Sequence, residues 1–209
     1  MAYSAPGQTT RRELLLAGVA ASTAGAALLA PAAALAAGSP TPSTPESDTD
    51  RLRRLLSVEL LMLFTYQSVI GSSVLGPRSR RALVPLRDHE QAHIDALRRQ
   101  LLARGGTAPR PPASIAQANH DLARRNVAGR LGQLRGAHDA LQLLLALERV
   151  TVGAYFVALT KLKDRQLIVL ACEIMANDAQ HEAILGEQMH PGDAANAVPY
   201  GLVQGVQGR

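Results

Sequence analysis

The chain has 209 residues, is 47% hydrophobic, carries a formal charge of +5, and contains one cysteine and 3% aromatic residues. A lone Cys172 excludes an intrachain disulfide framework and reads as a small buried residue. The cationic residues are spread along the chain with no aromatics interleaved, which argues against a nucleic-acid interface.

The N-terminus opens with Arg11-Arg12 ahead of an uncharged apolar run from Leu14 to about residue 37, ending in the small-x-small pattern Ala34-Leu35-Ala36. Residues 1–37 therefore read as an export signal of the twin-arginine type, which places the mature protein outside the cytoplasm, at the cell envelope or secreted. The run is also long enough to span a bilayer, so an uncleaved anchor is the alternative and the one membrane contact foreseen. Residues 38–49 are rich in Ser, Pro and Thr and read as a flexible linker.

Residues 50–190 have enough length for one sizeable core. Helical periodicity predicts a first helix over 50–70, with Leu52, Leu55, Leu56, Leu60 and Leu63 on one face and Asp48, Thr49 or Asp50 as N-cap. Gly76-Pro77 opens a second helix over 78–104, stopped by Gly105-Gly106 and a proline cluster. A polar stretch over 113–130, with room for a short helix, forms a long crossover. A third helix is predicted over 131–161 and a fourth over 164–189, followed by a loosely packed tail, 191–209. No period-two pattern is present. The expected fold is all-α: a four-helix bundle with one long crossover.

Two short motifs suggest chemistry. Glu90-x-x-His93 and Asp178-x-x-His181 each put a carboxylate and an imidazole side by side on a helix. Glu59 and Glu148 are lone acids among leucines and valines, and a buried carboxylate needs a partner. The two halves superpose by number: Glu59 to Glu148 spans 89 residues, Glu90 to Asp178 spans 88, and His93 to His181 spans 88. Tyr66 and Tyr155, each seven residues after its glutamate, differ by 89. This is an internal duplication.

Glu59, Glu90, His93, Glu148, Asp178 and His181 should then converge in the bundle core. Four carboxylates there repel one another unless protons or cations neutralise them, and two divalent ions match that charge. Oxygen-rich ligation with one imidazole per ion suits iron, or alternatively manganese, better than structural zinc. A metal-free polar network is the alternative. Tyr66 and Tyr155 are the candidate catalytic residues, placed to hydrogen-bond a ligand or carry an electron; the alternative is an aromatic core role. His89, His120, His138 and His190 read as surface residues, Glu173 and Glu182 as solvated, and Arg149 as ion-paired or snorkelling.

The segments Ser57 to Tyr66, His89 to His93, Leu147 to Tyr155 and Asp178 to Glu182 together make residues 50–188 resemble the exported bacterial ferritin-like domain proteins of the ferritin-like superfamily. That resemblance implies a four-helix fold and a dinuclear carboxylate site at the six positions, with Glu90 and Asp178 as bridges. The second bridge departs from the family pattern in being an aspartate with a shorter arm.

Three functions fit. One is a di-iron oxidoreductase that oxidises Fe(II) or reduces oxygen or peroxide, with a manganese catalase-like variant. Another is a metal-binding or stress-protection protein without turnover. The third is a metal-free bundle at the cell envelope. A homodimer is compatible with each.

Overall fold

The computed structural model describes residues 46–197. The export signal, the linker as far as residue 45, and the tail beyond 197 lie outside the described residues. Among the described residues six helices follow in order: α1 Asp48–Gly71, α2 Pro77–Ala103, α3 Ile115–Arg124, α4 Ala137–Leu159, α5 Arg165–Met189 and the single turn α6 Ala194–Ala197. Among the described residues there is no strand.

The N-cap of α1 is Ser47, one residue earlier than the three candidates. Its Oγ accepts from the Asp50 amide at 3.1 Å while Asp50 Oδ2 accepts from the Ser47 amide at 3.3 Å, a reciprocal capping box. Asp48 is thereby free to reach across the bundle, where its Oδ2 accepts from the amides of Lys163 and Asp164 at 3.0 and 2.8 Å. Asp164 itself caps α5 and pairs with Arg104 just past α2. These contacts gather one end of all four long helices.

Proline and glycine act largely where the sequence placed them. Gly76 is the N-cap of α2 and Pro77 its first residue. At the other end, Gly105 at φ 71 lets the Gly105 and Gly106 amides return to the carbonyls of Leu102 and Leu101, closing a Schellman turn. Pro85 lies inside α2 on its exposed side and has no amide hydrogen to donate to the Arg81 carbonyl.

The predicted start of the helix at residue 131 is wrong by six residues. Gly129 and Gly132 take positive φ of 108 and 81, and Gly136 is the N-cap of α4. Leu131 still reaches the core, at 2% exposure, but from a loop. The side chain of Asn119 holds it there, accepting from the Leu131 amide at 2.8 Å and donating to its carbonyl at 3.1 Å. The tail also departs from expectation as far as it is described. Its α6 turn sits on α5 at Gly186, where an added Cβ would lie 2.6 Å from the Ala197 carbonyl oxygen.

α1 pairs with α2 and α4 with α5, and the two hairpins meet chiefly through α1 and α4. The apolar core divides into two clusters along the bundle. One contains Leu61, Met62, Tyr66, Leu83, Leu144 and Leu147, and the other Leu52, Leu56, Ile94, Leu97, Tyr155 and Ile174. Between them lies a polar layer.

Candidate metal centre

The polar layer consists of the six residues singled out by the duplication. On each helix they continue the inward apolar stripe: Glu59 follows Leu55 and Leu56, Glu90 follows Leu86, Glu148 follows Leu144, and Asp178 follows Ile174. Spacings of three or four residues keep them on the face that packs. All four carboxylates are fully buried, His181 is nearly so, and His93 is 8% exposed.

Both imidazoles turn Nδ1 toward the carboxylates. His93 Nδ1 lies 3.7 Å from Glu59 Oε2, 3.6 Å from Glu90 Oε2 and 3.4 Å from Asp178 Oδ1. His181 Nδ1 lies 2.9 Å from Glu90 Oε1, 3.2 Å from Glu148 Oε1 and 4.0 Å from Asp178 Oδ1. Two groups of ligand atoms result, each with all its atoms within 4.8 Å of one another: Glu59, Glu90 and His93, and Glu90, Glu148, Asp178 and His181. Glu90 belongs to both. Asp178 groups with His181 alone, although its Oδ1 lies between the two imidazoles.

Seven side-chain atoms of this layer make no hydrogen bond: Glu59 Oε2, both oxygens of Glu90, His93 Nδ1, Glu148 Oε2 and both oxygens of Asp178. Orphaned buried acceptors are costly, and six oxygens aimed at one another cannot satisfy themselves without protons or cations. Hard oxygen donors with two imidazoles are a donor set that fits a pair of divalent ions.

Without ions, protons must do that work. Burial pushes the Glu148 carboxyl up to about 8, helped by the charge of Glu90. Burial and then Glu59 raise Glu90 well above the usual carboxylate range, and burial with Glu59, Glu148 and Glu90 does the same to Asp178. Burial pulls His93 down, but the carboxylates of Glu59 and Glu90 outweigh it and lift the imidazole to about 10.

The tyrosines reach across the duplication. Tyr66, on the helix of Glu59, donates to Glu148 Oε1 at 2.5 Å. Tyr155, on the helix of Glu148, donates to Glu59 Oε1 at 2.6 Å. Burial and then the facing glutamate hold both phenols protonated, well above 10. Each phenol satisfies one oxygen of its carboxylate and leaves the other orphaned.

Other assignments change. His89 is exposed but has a ring partner: its Nδ1 lies 3.0 Å from His181 Nε2, with the rings stacked at 5.3 Å between centroids. Asn177, not foreseen at all, has its Oδ1 3.1 Å from His93 Nε2. Both positions share the 88-residue offset of the motifs, which was the available signal. Glu182 is not solvated; it is largely buried and pairs with Arg149 at 3.4 Å, which gives Arg149 the ion pair anticipated for it. Cys172 is exposed because the inward stripe of α5 runs through Ala171 and Ile174, a turn position away. Glu173, His120, His138 and His190 are exposed.

The family model for the ferritin-like domain matches residues 47–190, which span all four long helices and the whole polar layer. No curated protein matches the chain.

Proposed function

Because the chain belongs to the ferritin-like domain family, we propose that its polar layer holds two divalent transition-metal ions and that the protein is an exported iron oxidoreductase. The reaction is oxidation of Fe(II) with reduction of oxygen or peroxide, and manganese is the alternative metal. The observation that carries this reading is the set of seven orphaned buried atoms contributed by four helices. A bound iron pair would supply the one-electron redox chemistry by which oxygen or peroxide is reduced. Glu59, Glu90 and His93 would hold one ion and Glu148, Asp178 and His181 the other, with Glu90 in reach of both. Tyr66 and Tyr155 keep Glu148 and Glu59 from rotating, so each presents one fixed oxygen. The leucine clusters above and below exclude water and keep the carboxylates in a low-dielectric setting, where their preference for cations is strongest.

The test is elemental analysis of the exported protein, followed by Fe(II) oxidation followed by absorbance. Two equivalents of iron, with oxidation faster than free Fe(II), is the expected result. Tight binding of two ions without oxidation would replace the enzyme by a metal-binding protective protein. Protein that binds neither iron nor manganese would leave a structural bundle.

Export through the folded-protein route depends on Arg11 and Arg12. Changing both to Lys should leave the precursor in the cytoplasm, measured by fractionation. Normal export of the double variant would remove the twin-arginine assignment.

A further inference from the structure

The duplication extends one residue beyond the metal motifs. His89 immediately precedes Glu90, and Asn177 immediately precedes Asp178; the two are 88 apart, like the histidines themselves. Their contacts are reciprocal. Asn177 on α5 meets Nε2 of His93 on α2, and His89 on α2 meets Nε2 of His181 on α5. Resting on the reading of the layer as a metal site, we infer that His89 and Asn177 are equivalent positioning residues. Each accepts a hydrogen bond from Nε2 of the opposite helix's ligand imidazole and so leaves its Nδ1 lone pair for the ion.

The chemistry follows from the imidazole ring. A neutral imidazole has one N–H and one lone pair. Nδ1 of both ligand histidines faces the carboxylates, so an ion there requires the proton on Nε2. An acceptor at Nε2 fixes that tautomer and the ring plane together. The amide oxygen of Asn177 is such an acceptor. The Nδ1 of His89 is one when its own proton sits on Nε2, and His89 is exposed, so water is at hand to take that hydrogen bond. Neither partner is a carboxylate. Four carboxylates balance two divalent ions, and an acid at either position would add a charge the layer does not need.

The duplication also supplies the rescue. If the two positions are equivalent, His89→Asn should work where His89→Leu fails. The probe is Zn(II), which is diamagnetic and permits long-range proton–nitrogen spectra of the histidine rings. Wild-type protein should bind two Zn(II), with water-protected Nε2 protons on His93 and His181. His89→Leu should lose the protected proton of His181 and weaken one of the two ions by about 10–100-fold. Asn177→Leu should do the same to His93 and the other ion. His89→Asn should keep both signals and stay within about 3-fold of wild type, well inside the loss expected for a missing partner. Circular dichroism checks the fold, which neither exposed His89 nor half-buried Asn177 should disturb as leucine. Leucine variants with unchanged ring signals and affinities would overturn the inference alone, as would a His89→Asn variant as weak as His89→Leu. Wild-type protein that binds no Zn(II), Fe(II) or Mn(II) would instead remove the metal reading itself, and this inference with it.

Discussion

A Glu90→Ala variant is expected to bind neither ion tightly and to lose Fe(II) oxidation, with a fall of more than about 100-fold, since even the outer partners of metal ligands are worth 10–100-fold. Glu90 is the one residue present in both groups of ligand atoms. Its two oxygens are divided, Oε1 toward His181 and Oε2 toward His93. His93→Ala and His181→Ala each touch one group, so each should reduce the stoichiometry from two ions toward one. The fold should not suffer. In metal-free protein Glu90 is a buried carboxyl group with both oxygens unbonded, and alanine removes two unsatisfied acceptors from the layer. The apo variant should therefore melt no lower than the apo wild type by circular dichroism, even as its metal content falls. Glu173→Ala, exposed on α5, is the matched control. Glu182→Ala is not, because Glu182 pairs with Arg149 and its charge acts on Asp178. Two tightly held ions in Glu90→Ala would dismiss the shared-ligand geometry.

Metal-free protein should lose stability as pH rises. Glu148 titrates near 4.5 when unfolded and at about 8 when folded, with Glu90 and Asp178 raised as well, chiefly by burial in each case. A group with a raised folded pKa stabilises the fold fully below its unfolded pKa, and that contribution is lost as pH climbs through the folded value. His93 has the same sign: its contribution is whole below 6.5 and lost as pH passes about 10, because Glu59 and Glu90 outweigh the burial that opposes them. The melting temperature of the chelator-treated protein should fall between about pH 5 and pH 9 by on the order of 10 °C. Added Mn(II) should open a gap between loaded and apo protein that widens with pH, because the ion competes with fewer protons. A melting temperature that is flat or rising in the apo protein would show that the four acids do not share one dry layer.

Periodicity and duplicated spacing were enough to place four long helices and to nominate the six residues that the fold brings together. Both signals are one-dimensional: a stripe of leucines gives the inward phase of a helix, and an acid on that stripe goes inside with it. What escaped depended on neighbours in space. Glu182 lies only one residue past His181, and its burial is decided by Arg149 on another helix. Cys172 looked like a core residue by composition, yet the stripe of α5 passes beside it. The late start of α4 turns on Asn119, which captures Leu131 from twelve residues away and lets glycines carry the chain round. His89 reads as a surface residue in the sequence because the ring it meets, His181, is on another helix, α5. The export signal and the linker up to residue 45 lie outside the described residues.

The crossed tyrosines carry an implication about ancestry. Seven residues along a helix is about 10 Å, so Tyr66 cannot reach Glu59 nor Tyr155 reach Glu148. A single hairpin of this kind would hold a phenol and an acid with no way to meet. Two identical hairpins set about a twofold axis would complete both bonds at once, each donating to the other. α1–α2 and α4–α5 make both of these crossed bonds, and none of the six acids and imidazoles lies on the crossover between them. The crossover gives Leu122 and Leu131 to the core but nothing to the polar layer, so in its chemistry the chain is a pair of hairpins joined end to end.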